Sequence, residues 1–464
     1  MANRPNIWQS RTLGDCGKWY SGGTPDTSNA AFWNGDTPWI SASSLHDFYI
    51  TDSERRVTSE GIQSGSRLMP ADTIMFVVRG MSLKSEFRVG ITQRPVAFGQ
   101  DCKAIVPSDD IDPLFLANAI RAKSQEILGL VDEAGHGTGR LQTDLMMGLS
   151  IEVPPLPVQK QAVALIAALD DKIELNRRTN QTLEALARAL FQSWFVDFDP
   201  VHAKAEGRQL AGMDAATAAL FPDRFEDSAL GEVPQGWRVS EIGAEVEVVG
   251  GSTPSTAEAA YWEGGTIDWA TPKDLSGLDA PVLLNTARRI TDAGLQQIGS
   301  GLLPAGTVLL SSRAPVGYLA LADIPLAINQ GFIAMKCDAQ LPSTYVLNLA
   351  KANMETIEGR ANGTTFMEVS KANFRTIPVI VPRANVLQVF QQTVMPWYEK
   401  IAANLREVQT LAELRDTLLP KLMSGEVRVR EHVESEGRTP GQQASAEAYQ
   451  RHLRPNDFWR RGRK

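Results

Sequence analysis

The sequence lacks the recognisable motifs of catalysis. It contains no GxxxxGK[ST] phosphate loop, no GxGxxG, HExxH or GxSxG motif and no paired CxxC. It also lacks the Asn/Asp-Pro-Pro-aromatic tetrad of enzymes that methylate a flipped adenine. Cys16, Cys102 and Cys337 lie far apart, and the five histidines do not cluster at metal-ligand spacing. These absences indicate a binding protein with no catalytic residues, no metal and no cofactor of its own.

The sequence is equally poor in targeting signals and in net positive charge. No apolar run is long enough to span a bilayer, and the N-terminus lacks a secretory pattern, so we expect a cytoplasmic protein. The formal net charge of −8 argues at first against nucleic acid as a partner. However, ionic contacts act over a Debye length of about 8–10 Å, so one basic face is sufficient for DNA binding.

An internal repeat organises the 464 residues. Pro25 and Trp33 recur 229 positions later as Pro254 and Trp262, and further matches continue to the end of each copy. Each copy contains short β-forming runs bounded by Gly and Pro, such as 73–78 and 307–310, and a helical segment, 113–128 or 342–358. We therefore predict two copies of one mixed α/β module, over residues 8–155 and 236–382.

A long helix follows each module, and the two helices are the strongest part of the repeat, at a constant offset of 228. Apolar residues alternate in steps of three and four, which predicts a heptad seam. The predicted seam residues are Ile166, Leu169, Ile173, Asn176, Leu183, Leu190, Val394, Trp397, Ile401, Asn404, Leu411 and Leu418. We place the helices at 156–198 and 383–424, a connector with one short helix (214–220) at 199–235, and a polar tail at 425–464. Two unrelated amphipathic helices lying on a core are the alternative.

Asn176 and Asn404 occupy equivalent positions in the middle of the predicted seam. A polar seam residue weakens a coiled coil but fixes its register. If the helices are antiparallel their middles cross, and the two amides would face each other. Exposure of both amides to solvent is equally consistent with the sequence.

Two long segments resemble conserved regions of type I restriction–modification specificity subunits. Residues 175–201, LNRRTNQTLEALARALFQSWFVDFDPV, resemble the central region, and residues 418–429, LLPKLMSGEVRV, resemble the distal one. The segments 22–25 and 252–254 resemble the openings of target-recognition domains. The resemblance covers nearly the whole chain, although Gln159-Lys160-Gln161 stands where many relatives carry Glu-Gln.

The resemblance implies a fold, a function and a set of partners. The fold is α+β, with two repeated target-recognition domains separated by two long helices that pair as an antiparallel coiled coil with pseudo-twofold symmetry. Each domain reads one half of a bipartite, asymmetric site on double-stranded DNA. The helices space the domains and dock two methyltransferase subunits, and restriction/translocase subunits join this complex. The complex methylates adenine and cleaves DNA, using S-adenosylmethionine, ATP and magnesium through those other subunits, and no membrane is involved.

The DNA-contacting candidates are basic or small polar residues on predicted loops or strand ends, because arginine and amide side chains read base edges and glycine admits close backbone approach. Two glycine-bearing loops, 135–140 and 361–365, correspond in the two copies. The candidates are Arg79, Lys84, Arg88, His136, Thr138, Arg140, Lys273, Arg313, Asn362, Thr364, Thr365, Lys371 and Arg375. Each has an alternative role as an ordinary surface residue.

Two other functions compete with DNA recognition. One is an enzyme with an unrecognised methyltransferase or nuclease site, which binding of S-adenosylmethionine by the isolated chain would reveal. The other is a coiled-coil scaffold whose modules bind protein, which the absence of salt-dependent DNA binding would reveal. The target bases cannot be derived from the sequence.

Overall fold

The computed structural model describes residues 8–134, 138–337, 340–363 and 367–429. The candidates His136, Thr364 and Thr365, and the predicted tail from residue 430 onward, lie outside the described residues. The chain divides into two compact units: unit 1 contains the residues up to Leu165 and those from Thr417, and unit 2 contains Ile166–Asp416. Both unit boundaries fall inside the long helices, α5 (Leu156–Phe195) and α14 (Ala384–Met423).

Unit 1 contains the first module. Its strands are β1 Gln9–Thr12, β2 Gly17–Ser21, β3 Trp33–Ile40, β4 Tyr49–Ile50, β5 Arg56–Val57, β6 Leu68–Met69, β7 Ile74–Val77, β8 Arg79–Gly80, β9 Val89–Thr92, β10 Val96–Phe98, β11 Cys102–Pro107, β12 Val131–Ala134, β13 Thr138–Leu141 and β14 Ser150–Val153. Its α-helices are α1 Ser59–Gly65, α2 Pro113–Ala122, α3 Ser124–Leu128 and α4 Thr143–Met147. Three 3-10 turns lie at Leu13–Cys16, Ala30–Phe32 and Met81–Lys84.

Unit 2 contains the connector and the second module. Its strands are β15 Phe225–Ser228, β16 Gly231–Pro234, β17 Arg238–Glu241, β18 Glu247–Val249, β19 Ile267–Ala270, β20 Val282–Leu283, β21 Arg288–Ile290, β22 Val308–Ser312, β23 Val316–Ala322, β24 Ala327–Ile328, β25 Phe332–Lys336 and β26 Pro378–Val381. Its shorter helices are α6 Asp199–Ala205, α7 Ala215–Leu220, α8 Ile242–Glu245, α9 Pro272–Leu275, α10 Asp292–Leu295, α11 Ser343–Ala352, α12 Met354–Gly359 and α13 Lys371–Arg375, with a 3-10 turn at Ala259–Tyr261.

The sheets show that the second module is a copy of the first. The five-stranded sheet of module 1, in the order β2-β11-β7-β9-β4, corresponds to β18-β25-β22-β23-β20 in module 2. The parallel pairing of β3 with β10 recurs between β19 and β24, with Trp39 opposite Ala97 and Trp269 opposite Ala327. The closing antiparallel pair β1-β14 recurs as β17-β26. The predicted α+β fold with a repeated module is therefore confirmed.

The two long helices pair in antiparallel orientation within unit 2, as the resemblance implied. Asp170 meets Arg415 at 2.9 Å near one end of this region, and Asn180 meets Asn404 at 2.8 Å further along. The predicted seam positions are buried or half-buried: Ile166, Leu169, Ile173, Asn176, Leu183, Leu190, Val394, Trp397, Ile401, Asn404, Leu411 and Leu418. Two independent amphipathic helices would not show this direct pairing.

The asparagine pair differs from the expected one. Asn404 donates from Nδ2 to Oδ1 of Asn180, not to Asn176, and the Nδ2 of Asn176 donates to Glu407 at 2.9 Å instead. The helices cross one helical turn away from the level at which Asn176 and Asn404 would be opposite. Asn404 and Asn180 are 0% and 1% exposed, so this amide pair lies inside the seam. Sequence equivalence did not identify the partners because the crossing level depends on tertiary packing.

A cluster of aromatic side chains packs both long helices against the second module. Phe195 of α5 lies 5.0 Å from Phe390 of α14 and 4.9 Å from Tyr345 of α11 between ring centroids. Burying an aromatic side chain removes roughly 150–250 Å² from water, and edge-to-face pairs add about 0.5–1.5 kcal/mol each. Within unit 2 the helices and the module therefore share one core.

The helical segments predicted inside the modules are interrupted. The first breaks at Lys123 between α2 and α3, and the second breaks at Asn353 between α11 and α12, where ψ of 12° and 18° ends the helical geometry. In the connector, α7 begins after its N-cap Asp214, close to the predicted helix. Helix α6 and the hairpin β15-β16 were not predicted there.

Candidate nucleic-acid interface

A row of charged side chains crosses the three-stranded sheet β12-β13-β8 of module 1. Arg140 on β13 pairs directly with Arg79 on β8, and Asp132 on β12 lies on its other side. Both arginines are exposed, and neither makes an ion pair with any residue that the structure describes. Like charges placed directly opposite each other are destabilising. Both guanidinium groups are open to solvent, where they can donate hydrogen bonds.

Glycine at 139 allows this row to form. A Cβ at Gly139 would come within 2.8 Å of the Cβ of Leu83, which belongs to the 3-10 turn that also carries Lys84. Strand β13 thus lies directly on that turn, and exposed Lys84 lies in the same region as the arginines. Thr138, at the start of β13, is half-buried.

Module 2 contains the equivalent row in a shorter form. Leu141 of module 1 donates its backbone N–H to Val78 at 2.9 Å, and Val369 donates to Ser312 at 3.0 Å in the same way. Ser312 follows Val78 by 234 positions, the interval that also separates Arg79 from Arg313, so Val369 corresponds to Leu141. The residue before Val369 therefore corresponds to Arg140, and this residue is a glutamate.

Glu368 is paired on both sides. Its backbone exchanges two hydrogen bonds of 3.0 Å with Asn362, and it forms an isolated bridge with Arg313 on the other side. Its carboxylate lies 3.7 Å from the Arg313 guanidinium, and both side chains are partly exposed. The predicted candidates Arg313 and Asn362 are thus brought together by a residue that was not predicted.

The remaining candidates are more dispersed. Arg88 is paired with Glu86 at 2.8 Å, and Arg375 donates to the carbonyl of Val248 at 2.5 Å, so both guanidinium groups already have partners within the fold. Exposed Lys371 extends to Gly250, where its Nζ would lie 2.8 Å from an added Cβ. Lys273, in α9, lines a cavity of about 560 Å³ that also includes Gln409 of α14.

A duplicated arginine–tryptophan cluster was missed in the sequence. Arg55 stacks on Trp33 with 3.8 Å between the guanidinium carbon and the ring centroid, and Arg288 stacks on Trp262 at 3.7 Å. Both arginines are exposed, and cation–π stacking leaves the guanidinium N–H groups free to donate at the ring edge. The tryptophans are the repeat pair already recognised at an offset of 229, and Arg55 and Arg288 are 233 positions apart, so the repeat was the signal that could have identified the arginines.

A second tryptophan in each module, Trp39 or Trp269, holds the loop that opens that module. Trp39 donates from Nε1 to the carbonyl of Gly23 at 3.3 Å, and Trp269 donates to the carbonyl of Ser252 at 3.2 Å. The Thr24 hydroxyl bonds Gln100 in the first copy, and Thr253 bonds Gln330 at 2.6 Å in the second. The opening loop is therefore held by the same pair of contacts in both copies.

The pKa shifts of three buried side chains, Cys16, Cys102 and Glu245, indicate structural roles for them. Burial raises the pKa of the Cys16 and Cys102 thiols to about 11 and about 12, so neither is a thiolate nucleophile at neutral pH. Hydrogen bonds from Arg238, at 2.6 Å to each carboxylate oxygen, lower the pKa of buried Glu245, and Ser240 adds a further bond. Glu245 therefore remains charged while buried beneath the module surface.

The described residues contain neither a metal-binding cluster nor a membrane-spanning helix. No group of three or more His, Cys, Asp or Glu residues among them is arranged to hold a metal ion. No helix in this part of the chain is long and apolar enough to cross a membrane.

Comparisons with known proteins agree on one family. The family model described as type I restriction modification DNA specificity domain matches residues 5–185 and 234–406. The type I restriction enzyme MjaIX specificity subunit of Methanocaldococcus jannaschii is 26% identical over 436 residues, which cover 92% of this chain and 95% of that protein. The HindI specificity subunit of Haemophilus influenzae is 28% identical over 350 residues, or 66% and 76% of the two chains.

A solved structure matches at the level of the fold. The type I restriction–modification S subunit from M. genitalium superposes with a TM-score of 0.51 at 14% identity, covering 91% of this chain and 98% of that one. The match spans the modules and the long helices of the chain alike.

Proposed function

Because the chain belongs to the type I restriction–modification DNA specificity family, we propose that each of its two modules reads one half of a bipartite site on double-stranded DNA. As a specificity subunit the chain is non-catalytic, and methylation and cleavage belong to its partners.

The observation that supports this proposal is the equivalence of the two modules at their exposed rows. One backbone framework occurs twice, yet the side chains presented on it differ: Asp132, Arg140 and Arg79 in module 1, and Asn362, Glu368 and Arg313 in module 2. Arginine, asparagine and glutamate are the side chains that read base edges in the major groove. A repeated scaffold with different polar surfaces suits an asymmetric target, in which the two halves differ in sequence.

We propose that the long helices set the distance between the two half-sites. Each helix contains 40 residues, or about 60 Å at 1.5 Å per residue. That length is sufficient to hold two readers about one turn of DNA apart, roughly 34 Å, or somewhat more. The base pairs between the half-sites would then remain unread.

The outer faces of the helices are the proposed docking surface for two methyltransferase subunits. Leu186 of α5 and Leu414 of α14 are equivalent by the repeat offset of 228 and are 48% and 46% exposed. Large apolar side chains at matched exposed positions suit a partner that binds twice in the same way. Leucine-to-aspartate changes at both positions should abolish co-purification with the methyltransferase subunit.

The remaining parts of the proposed complex follow from the family. S-adenosylmethionine would be bound by the methyltransferase subunits, and ATP and magnesium by restriction/translocase subunits. A complex that modifies the DNA of its own cell would act in the cytoplasm.

Methylated-adenine sequencing of the host genome, with and without this gene, tests the proposed function. We expect a bipartite motif that is lost on deletion and restored by the wild-type gene. Replacing residues 8–155 with the corresponding module of a homologue should change one half of the motif and preserve the other. A change in both halves, or a motif independent of this gene, would contradict the proposal.

A further inference from the structure

Arg140 in module 1 and Glu368 in module 2 occupy equivalent positions of the repeated backbone, but their side chains have opposite charges. In both copies it lies across from the duplicated arginine, which is Arg79 in the first copy and Arg313 in the second. Module 1 therefore presents two adjacent guanidinium groups, whereas module 2 presents an arginine with a carboxylate 3.7 Å away. No other pair of equivalent residues in the two rows reverses its charge.

These side chains select different partners on DNA. A guanidinium group only donates hydrogen bonds, and in the major groove its matching acceptors are O6 and N7 of guanine. An ionised carboxylate only accepts, and it is repelled by phosphate, so its matching groups are base amino groups such as N4 of cytosine. Glu368 is 45% exposed, so its carboxylate oxygens are accessible to a base while Arg313 holds the side chain in place.

We propose that the shared position of Arg140 and Glu368 is specificity-determining: Arg140 reads a guanine edge in one half-site, and Glu368 reads a base amino group in the other. This inference rests on the proposed function. The Arg313 contact has a second effect: Glu368 neutralises Arg313, whereas the counterpart Arg79 makes no ion pair with a residue that the structure describes. Module 2 therefore contributes less than module 1 to the salt dependence of DNA binding.

The test exchanges the two side chains in the complete complex with its methyltransferase subunit. The variants Arg140→Glu and Glu368→Arg are used to select duplexes from a random library, and the selected DNA is sequenced. We expect Arg140→Glu to alter base preference in one half-site only and Glu368→Arg to alter it in the other half-site only. Each variant thus serves as the control for the other.

The uncharged variants Arg140→Gln and Glu368→Gln show how each charge affects the salt dependence of DNA binding, separately from base preference. Each phosphate contact contributes a slope of about −0.9 to log K against log salt. Glu368→Gln releases Arg313 and should steepen this slope by about one unit. If either exchange variant does not assemble, Arg140→Gln or Glu368→Gln replaces it in the selection. Glu355→Arg, at an exposed position in α12, makes the same charge change as Glu368→Arg and should leave the selected motif unchanged.

Several results would overturn the inference. One is that the variants select the wild-type motif; another is that both variants alter the same half-site. A third is that Arg140→Gln changes only the salt slope, which would indicate a phosphate contact. If the proposed function itself is wrong, the wild-type complex will select no bipartite motif, so the two failures are distinguishable.

Discussion

The buried Asn180–Asn404 pair provides a quantitative test of the helix seam. Only one hydrogen bond joins the two amides, from Nδ2 of Asn404 to Oδ1 of Asn180 at 2.8 Å. The remaining polar atoms, Oδ1 of Asn404 and Nδ2 of Asn180, are buried with no partner among the described residues. Each such atom costs about 1–3 kcal/mol, and the bond that is made contributes about 1 kcal/mol.

Leucine substitutions should therefore be strongly non-additive. Either single change, Asn180→Leu or Asn404→Leu, removes the bond, leaves both polar atoms of the remaining asparagine without partners and adds one larger side chain, so stability should fall by about 2 kcal/mol. The double variant leaves no unpaired polar atom. Relief of the two unpaired atoms, at about 2 kcal/mol each, exceeds the lost bond of about 1 kcal/mol and a cost of about 2 kcal/mol for the two larger side chains, so the double variant should gain about 1 kcal/mol. For a unit of this size, this gain raises the melting temperature by roughly 2–4 °C.

Thermal melting of the wild type, both single variants and the double variant forms a complete cycle. Asn176→Leu is the matched control, because both polar atoms of Asn176 are bonded, to Lys172 and Glu407, and leucine there relieves no unpaired atom. It should lower stability. A double variant that melts at or below the wild-type temperature would refute the reasoning, as would effects that add within about 0.5 kcal/mol. We also expect the double variant to methylate sites of less uniform spacing, because a seam asparagine fixes the register.

Three other predictions concern spacing, acid stability and catalysis. Inserting one heptad after Asn180 and one before Asn404 lengthens the paired helices by about 10 Å. Methylation mapping should then show both half-sites retained, with about three more unread base pairs between them. An unchanged number of unread base pairs would show that the helices do not set the distance between the half-sites. Because the pKa of Glu245 is lowered in the folded protein, its ion pair with Arg238 stabilises the fold above the unfolded-state pKa of about 4.5, and this contribution is lost as pH falls through the folded value. The Glu245→Gln variant should therefore be less stable at pH 7 but lose less stability than the wild type between pH 5 and 3, as measured by urea unfolding; equal pH dependence would show that the pair contributes nothing. The isolated chain should bind no S-adenosylmethionine and turn over no ATP in calorimetric and enzymatic assays, and activity abolished by a point change in this chain would disprove a purely non-catalytic role.

The sequence was sufficient to predict the repeated features of the fold, because a repeat shows twice which residues matter. The seam from Ile166 to Leu190 has a regular period and a second copy, and both helices occur where that period predicts them. The breaks at Lys123 and Asn353 were missed, since a single residue leaving helical geometry does not interrupt the apolar pattern.

The candidate site was predicted less completely, because it depends on contacts between strands distant in sequence. Arg79 and Arg140 were both candidates, but their direct pairing is a matter of strand register. Glu368 was missed because DNA-contacting candidates were expected to be basic or small polar residues, whereas this acidic residue is recognisable only by its place opposite Arg313. Arg55 was missed because its stacking on Trp33 requires that β3 and β5 pair.

Unit 1 is built from both ends of the described chain, and this has a consequence for how the gene can be arranged. The ring of Trp8 lies so close to Gly425 that an added Cβ would come within 2.7 Å of it. The first described residue of module 1 and the end of α14 therefore lie side by side within unit 1. A circularly permuted gene that joins these ends and opens the connector near Gly207 should encode the same protein.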